Sequence, residues 1–181
     1  MESSFGADYL ADVLLQFRKL KSLADDALAQ VSDEQVFAAV GEGDNSIAVI
    51  VKHVSGNLRS RWTDFLSSDG EKPDRDRDSE FGIEVSEDRA ALFDRWEAGW
   101  RCAFDALASL TPEDLGRTVL IRAEPHSVVK AIDRSLSHSA YHVGQIVFLC
   151  KHFRSGQWRC LSVAPGKSED FNAEMRRKHQ S

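Results

Sequence analysis

The chain carries three cysteines, Cys102, Cys150 and Cys160, and no two of them form a CxxC pair. An odd, scattered set of thiols argues against a disulfide framework or a thiolate zinc cage and points to a reducing, cytoplasmic setting. Prolines number only four in 181 residues, so little interrupts a helix. No run approaches the ~18 apolar residues that a membrane-spanning helix needs. "MESSFGADYLADVLLQF" has no basic segment ahead of its apolar positions, so no signal peptide is expected. A basic excess is missing as well. The net charge of −6 argues against a surface for nucleic acid or anionic membrane, although it leaves room for a small charged pocket.

What is present is ordinary for a soluble protein, with 42% hydrophobic and 29% charged residues. The length fits one domain spanning 1–181, large enough to bury a core without staples. Apolar residues recur at helical spacing in four long segments. The first is expected from about Phe5 to Val31, with Leu10, Val13, Leu14, Phe17, Leu20, Ala24, Ala27, Leu28 and Val31 on one side. A helical turn at "SDEQVFAAV" follows. The second starts at Asn45 or Ser46 as cap and runs to about Leu66. The third starts with Ser86 as cap and the acids Glu87 and Asp88 in its first turn, and carries Leu92, Phe93, Trp96, Trp100, Phe104 and Leu107. "TPEDL" reads as a further turn, with Thr111 as cap, Pro112 at the first helical position and Asp114 closing the box. The fourth long helix runs from Ser127 to about Phe153.

The second and third helices are separated by "SSDGEKPDRDRDSEFGIEV", too long for a tight hairpin and too charged for core. A four-helix bundle with one long crossover uses such a connection. "TVLIR" alone has strand character, and "RCLSV" is its expected partner. The polar tail from about 172 is expected to fray.

The chemistry-bearing feature is "HSAYH" in the last long helix, which sets His138 and His142 one turn apart at the edge of its apolar arc. At that spacing Cβ atoms lie ~5–6 Å apart, and both rings can turn a nitrogen onto one ion. His53 lies at the matching edge of the second helix, with Asn57 and Asp64 further along the same stripe. If the two edges meet, three neutral imidazoles leave a divalent ion an open position for water or substrate. If they do not, the histidines only pack or decorate the surface. A zincin protease is ruled out because Ser139 stands where its motif needs Glu. A di-iron bundle is ruled out because no Glu-x-x-His pair is present.

The ordering of His53, a long crossover and HxxxH in the last helix resembles the DinB-like (DinB/YfiT-like) superfamily of metal-dependent proteins. The resemblance is closest to its YizA-type branch. The stretches that carry it are "NSIAVIVKHVSGNLRSRWTDFLSSDGEKP", "LFDRWEAGWRCAFDALASLTPEDL", "HSVVKAIDRSLSHSAYHVGQIV" and "CLSVAPGKSEDFN", spread over about residues 10–172. The resemblance implies an all-α, up-down-down-up four-helix bundle, often a homodimer. It further implies a divalent ion such as zinc or nickel on His53, His138 and His142. Superfamily members use the ion to activate a low-molecular-weight thiol for S-transfer or isomerisation, or are proposed as hydrolases. The expected function is therefore a metal-dependent enzyme that activates water or a small thiol against a small-molecule substrate. The rival expectation is a non-catalytic metal-dependent sensor or interaction module.

Several other residues have two readings. Asp64 either orients a ligand imidazole or pairs with Arg61 at i, i+3. Asn57 is a pocket donor or a satisfied buried amide. His126 either reaches a pocket mouth as an acid–base group or stands in solvent ahead of the cap. Arg75 or Arg77 in the crossover could bind a substrate carboxylate, though mixed-charge loops are usually solvated. Trp96 and Trp100 are expected to pack, Cys102 and Cys150 to be structural thiols, and His152 and His179 to be exposed. Tyr141 and Phe148, seven residues apart on the face of the last helix away from its apolar arc, suggest a dimer contact.

Overall fold

The computed structural model describes residues 5–83 and 87–180. These residues are mostly helical, with one two-stranded sheet. The α-helices are α1 (Phe5–Leu28), α2 (Asp33–Phe37), α3 (Ile47–Trp62), α4 (Arg89–Ser109), α5 (Val128–Arg154) and α6 (Ser168–His179), and the strands are β1 (Thr118–Ile121) and β2 (Glu124–Ser127). Short 3-10 turns at Asp78–Phe81, Pro112–Gly116 and Ser155–Gln157 fill the connections. No described helix is long and apolar enough to cross a membrane.

Helix starts follow local chemistry. Ser46 takes the Val49 N–H at 3.3 Å and Ser127 takes that of Lys130 at 3.2 Å, which satisfies amide donors that have no partner within the helix. Ser32 and Gln35 form a reciprocal capping box at α2, and Thr111 with Asp114 forms another before Pro112. For α4 the cap is Asp88, whose carboxylate accepts from Ala91 N at 2.8 Å. The proposed cap Ser86 lies outside the described residues, and helix begins only at Arg89. Helix α3 stops at Trp62, short of Leu66, because Asp64 adopts a left-handed backbone (φ 48°) that a helix cannot continue through.

The core is the meeting of α1, α3, α4 and α5. Phe17, Leu28, Ile47, Leu58, Leu92, Ile132 and Ile146 are fully buried. Trp96 and Trp100 join them there, so the tryptophans pack as expected. Phe17 meets Trp62 and Trp100 edge-on at 5.8 and 6.3 Å, the geometry that ring quadrupoles favour. Helices α3 and α4 approach backbone to backbone at Gly99, where a Cβ would lie 2.9 Å from the Ser55 carbonyl oxygen. The end of α1 is closed from α4, since Arg89 donates to the Leu28 and Val31 carbonyls at 2.9 and 2.8 Å. Cys150 is buried in the core, Cys102 sits partly buried against it, and all three thiols are free.

Two expectations are corrected. β1 pairs antiparallel with Glu124–Ser127, not with "RCLSV". The nearer segment closes a shorter loop, and Asp69 accepts the N–H groups of both turn residues, Arg122 (2.8 Å) and Ala123 (2.7 Å). The polar tail is helical as α6: Glu169 and Asp170 occupy its first turn and Arg176, Arg177 and Lys178 its last, as the helix dipole prefers.

Candidate metal centre

Helix α3 carries His53 and helix α5 carries His138 and His142, and packing of these helices brings the rings together. One ring nitrogen from each lies within 4.8 Å of the other two, so the described residues contain a group able to hold a metal ion. The His53 and His138 Nε2 atoms are 3.3 Å apart. Two imidazole nitrogens at ordinary zinc distances and a tetrahedral angle are separated by about 3.3 Å. Ring centroids are 5.3 Å apart for His53–His138, 4.9 Å for His53–His142 and 4.5 Å for His138–His142.

The backs of two rings are tied. His53 Nδ1 donates to Glu80 Oε2 at 2.8 Å, which puts its proton on Nδ1 and its lone pair on Nε2, facing His138. His142 Nδ1 is held by Gln145 Oε1 at 2.8 Å, and Gln145 in turn donates to the Tyr141 hydroxyl at 3.2 Å. Such outer acceptors fix ring orientation at metal sites. Burial, followed by the neighbouring His142 and His53, pushes the His138 pKa down to about 3. Burial also lowers His142, against the raising effect of its bond to Gln145. Both rings are thus neutral at physiological pH, the form a metal requires.

Glu80 is the residue that sequence reasoning missed. It is buried in the 3-10 turn of the crossover and gripped by Arg75, whose Nε and Nη2 reach its two oxygens at 2.8 and 2.9 Å. Burial alone would raise its pKa; the hydrogen bonds from His53 and Arg75 outweigh that and hold it below the usual carboxylate range. One sequence signal pointed here. Gly56 sits inside α3, where glycine is unfavourable, and its missing side chain is the space Glu80 occupies.

The remaining candidates separate. Asn57 is buried and lines a cavity of about 300 Å³ that opens beside His53 and His138. Asp64 does neither thing expected of it. No hydrogen bond or ion pair joins it to a histidine, and Arg61 pairs instead with Glu71 at 3.0 Å. The left-handed turn after α3 carries its side chain off the helical stripe. His126 is neither a solvated residue nor a lining of the cavity beside the histidines: it is 3% exposed in β2, with its Nε2 3.6 Å from Glu124 and no hydrogen bond on either nitrogen. Arg75 and Arg77 both line the cavity, so the crossover does reach the site. His152 and His179 are exposed.

Fold and site together define a mostly helical protein with a three-histidine cluster able to hold a metal ion. The chain belongs to the family described as "Protein of unknown function (DUF1572)", whose model matches residues 4–167. No curated protein and no solved structure matches it.

Proposed function

We propose that His53, His138 and His142 hold one divalent ion, zinc or nickel, and that the protein is a metal-dependent enzyme acting on a small molecule. The observation that carries this reading is the 3.3 Å approach of the His53 and His138 Nε2 atoms, with both His53 and His142 anchored from behind. Three imidazoles suit zinc, nickel, copper or iron, and among the described residues no fourth protein ligand belongs to the group. Bound there, a divalent cation supplies Lewis acidity and brings the pKa of a coordinated water or low-molecular-weight thiol toward neutrality. The chain's own contribution is positional. Glu80 and Gln145 keep the imidazole lone pairs converging, Arg75 keeps Glu80 in place, and the adjoining cavity admits the substrate. The histidines act as ligands and move no proton, because a coordinated nitrogen is not a base. His126, away from the cavity lining, takes no catalytic role.

The reading extends to the fold and setting. We propose a single cytoplasmic DinB-like domain of the YizA-type branch, an up-down-down-up four-helix bundle with its crossover between α3 and α4. Four long helices and the order His53, crossover, His138, His142 support it.

A second reading, a metal-dependent sensor or interaction module working as a homodimer, is favoured by one observation. Tyr141 and Phe148 are 63% and 70% exposed, and Tyr141 reaches His142 through Gln145. Gel filtration with and without metal separates the two, since only a sensor needs its assembly to follow the ion.

The direct test is metal analysis of untagged protein beside His138→Ala. Wild type is expected to carry about one equivalent and the variant to lose most of it. Equal metal content in the two removes the claim.

A further inference from the structure

The cavity beside the imidazoles has a wall made largely of guanidinium. Arg61, Arg75, Arg77, Arg122 and Arg134 line it, and no carboxylate among the described residues does. In a chain of net charge −6 this is a local inversion of sign. Glu71 and Glu80 pair with this wall without lining the cavity themselves. Glu71 is shared by Arg61 and Arg122 at 3.0 Å each, and Glu80 is held by Arg75. Five cations thus face three anions, once Asp78 at 3.7 Å from Arg77 is included.

Three details show that donors remain to be used. The Arg75 side chain is only 6% exposed, yet its Nη1 makes no hydrogen bond and meets Glu71 Oε1 only at 3.5 Å. A buried guanidinium N–H without a close acceptor is unfavourable, and Arg75 is one of the residues that line the cavity. Arg77 meets Asp78 at 3.7 Å in a solvated pair and lies over the Phe81 ring at 4.9 Å, and Arg134 has no side-chain ion pair or hydrogen bond among the described residues. Arg122 is held in a costly conformation. It and Ala123 form the two-residue hairpin turn with φ of 56° and 62°, a region that side chains rarely adopt and glycine enters freely. The turn, held by Asp69, sets this arginine on the cavity wall.

We infer that this cavity binds a small oxyanion as substrate or cosubstrate, with Arg77, Arg122 and Arg134 as the clamp and the charge of the buried Arg75 beside them. Its role as substrate rests on the metal-centre reading; its binding does not. A guanidinium fork matches carboxylate and phosphate oxygens two at a time. A volume of about 300 Å³ fits a metabolite-sized acid rather than a macromolecule.

The test is calorimetric titration of the untagged chain, both zinc-loaded and chelator-stripped, with succinate, inorganic phosphate and neutral succinamide. Succinate, phosphate or both are expected to bind the two forms, which tells the oxyanion sources apart, and succinamide is expected not to bind. A variant carrying Arg77→Gln and Arg134→Gln, both exposed positions, should weaken anion binding at least about tenfold. Arg101→Gln, exposed on α4 away from the cavity, should leave it unchanged. The inference is overturned if neither anion binds, if succinamide binds equally well, or if the double variant binds like wild type. Anion binding that needs zinc and ignores the double variant would sink this inference and leave the metal centre standing. Binding that depends on Arg77 and Arg134 in a chain that takes up no metal would do the reverse.

Discussion

Gly56→Ala is the substitution that probes the centre most cleanly, because its two consequences have opposite signs. Gly56 lies in α3, one turn after His53, and a Cβ there would overlap Glu80 Oε1 outright and sit 2.8 Å from Glu80 Cδ. Carbon–oxygen contacts close to about 3.3 Å at best, so the carboxylate must retreat by about 1 Å. It has nowhere easy to go. The Glu80 side chain is 7% exposed, and Arg75 grips both oxygens at 2.8 and 2.9 Å. The carboxylate moves as a unit, so the displacement reaches the 2.8 Å bond between Oε2 and His53 Nδ1 as well as the Arg75 bonds, and an added ~1 Å exceeds hydrogen-bond range.

Glycine to alanine in a helix interior favours the helix by about 1 kcal/mol, which offsets the strain of moving one side chain. Losing the outer acceptor of a metal-bound imidazole typically costs 10–100-fold in metal affinity, or about 1.4–2.7 kcal/mol. Urea unfolding of the metal-free variant should thus lie within about 1 kcal/mol of wild type. Competition with a chromophoric chelator should show zinc bound at least about tenfold more weakly. An unchanged zinc affinity would mean that Glu80 does not orient His53, and the reasoning about the centre would fail with it.

Three further outcomes follow from other parts of the molecule. Arg89→Met strips two partners from the carbonyls that end α1 and should cost about 2–3 kcal/mol in urea unfolding, where a change under about 0.5 kcal/mol would refute that capping role. Iodoacetamide at mild alkaline pH should label Cys160 first, since it is exposed and Ser162 lowers its thiol pKa. Cys150, buried and pushed up to about 12, should resist until the chain unfolds, and peptide mapping that finds the two labelled at one rate would contradict the core. For pH, burial alone would raise Glu71, but Arg61, Arg75 and Arg122 outweigh it and hold it below its ordinary value. A depressed carboxylate stabilises the fold fully above its unfolded pKa, so melting temperature should be level above about pH 5 and fall as pH drops below about 4.3. Glu71→Gln should flatten that fall; an unaltered acid limb would show that Glu71 contributes nothing to it.

The histidine cluster was legible because helical periodicity converts sequence spacing into angle, so the edges carrying His53 and the His138–His142 pair could be read directly. Caps such as Ser46 and Ser127 were legible because a cap acts within one turn. Glu80 was not. "EKPDRDRDSEF" alternates charge like a solvated loop, and no local rule shows that Glu71, Arg75 and Glu80 turn inward and satisfy one another. The hairpin was half legible. Thr118–Ile121 has strand composition, but Glu124–Ser127 does not, and its turn lacks the usual Asn-Gly. Asp69, more than fifty residues earlier in the chain, supplies the acceptors that stabilise this turn. His126 was misjudged for the same reason: its burial comes from strand pairing that the sequence does not announce.

The position of the two carboxylates explains how so many cations persist at one half-buried place. Burial pulls Arg61 below its ordinary pKa, and a cluster of such groups without countercharge would carry a large desolvation cost. Carboxylates inside the cavity would cancel that cost, but they would also repel an anion and compete for any ion on the imidazoles. Glu71 and Glu80 sit on the far side instead. Each neutralises from behind, Glu71 beneath Arg61 and Arg122 and Glu80 beneath Arg75 and His53, and leaves the cavity-facing donors free. Exchanging Glu71 for Gln should therefore harm the fold more than it harms anion binding. If Glu71→Gln instead abolished succinate binding in a chain still folded at neutral pH, the carboxylate would have to organise the cavity itself rather than its supports.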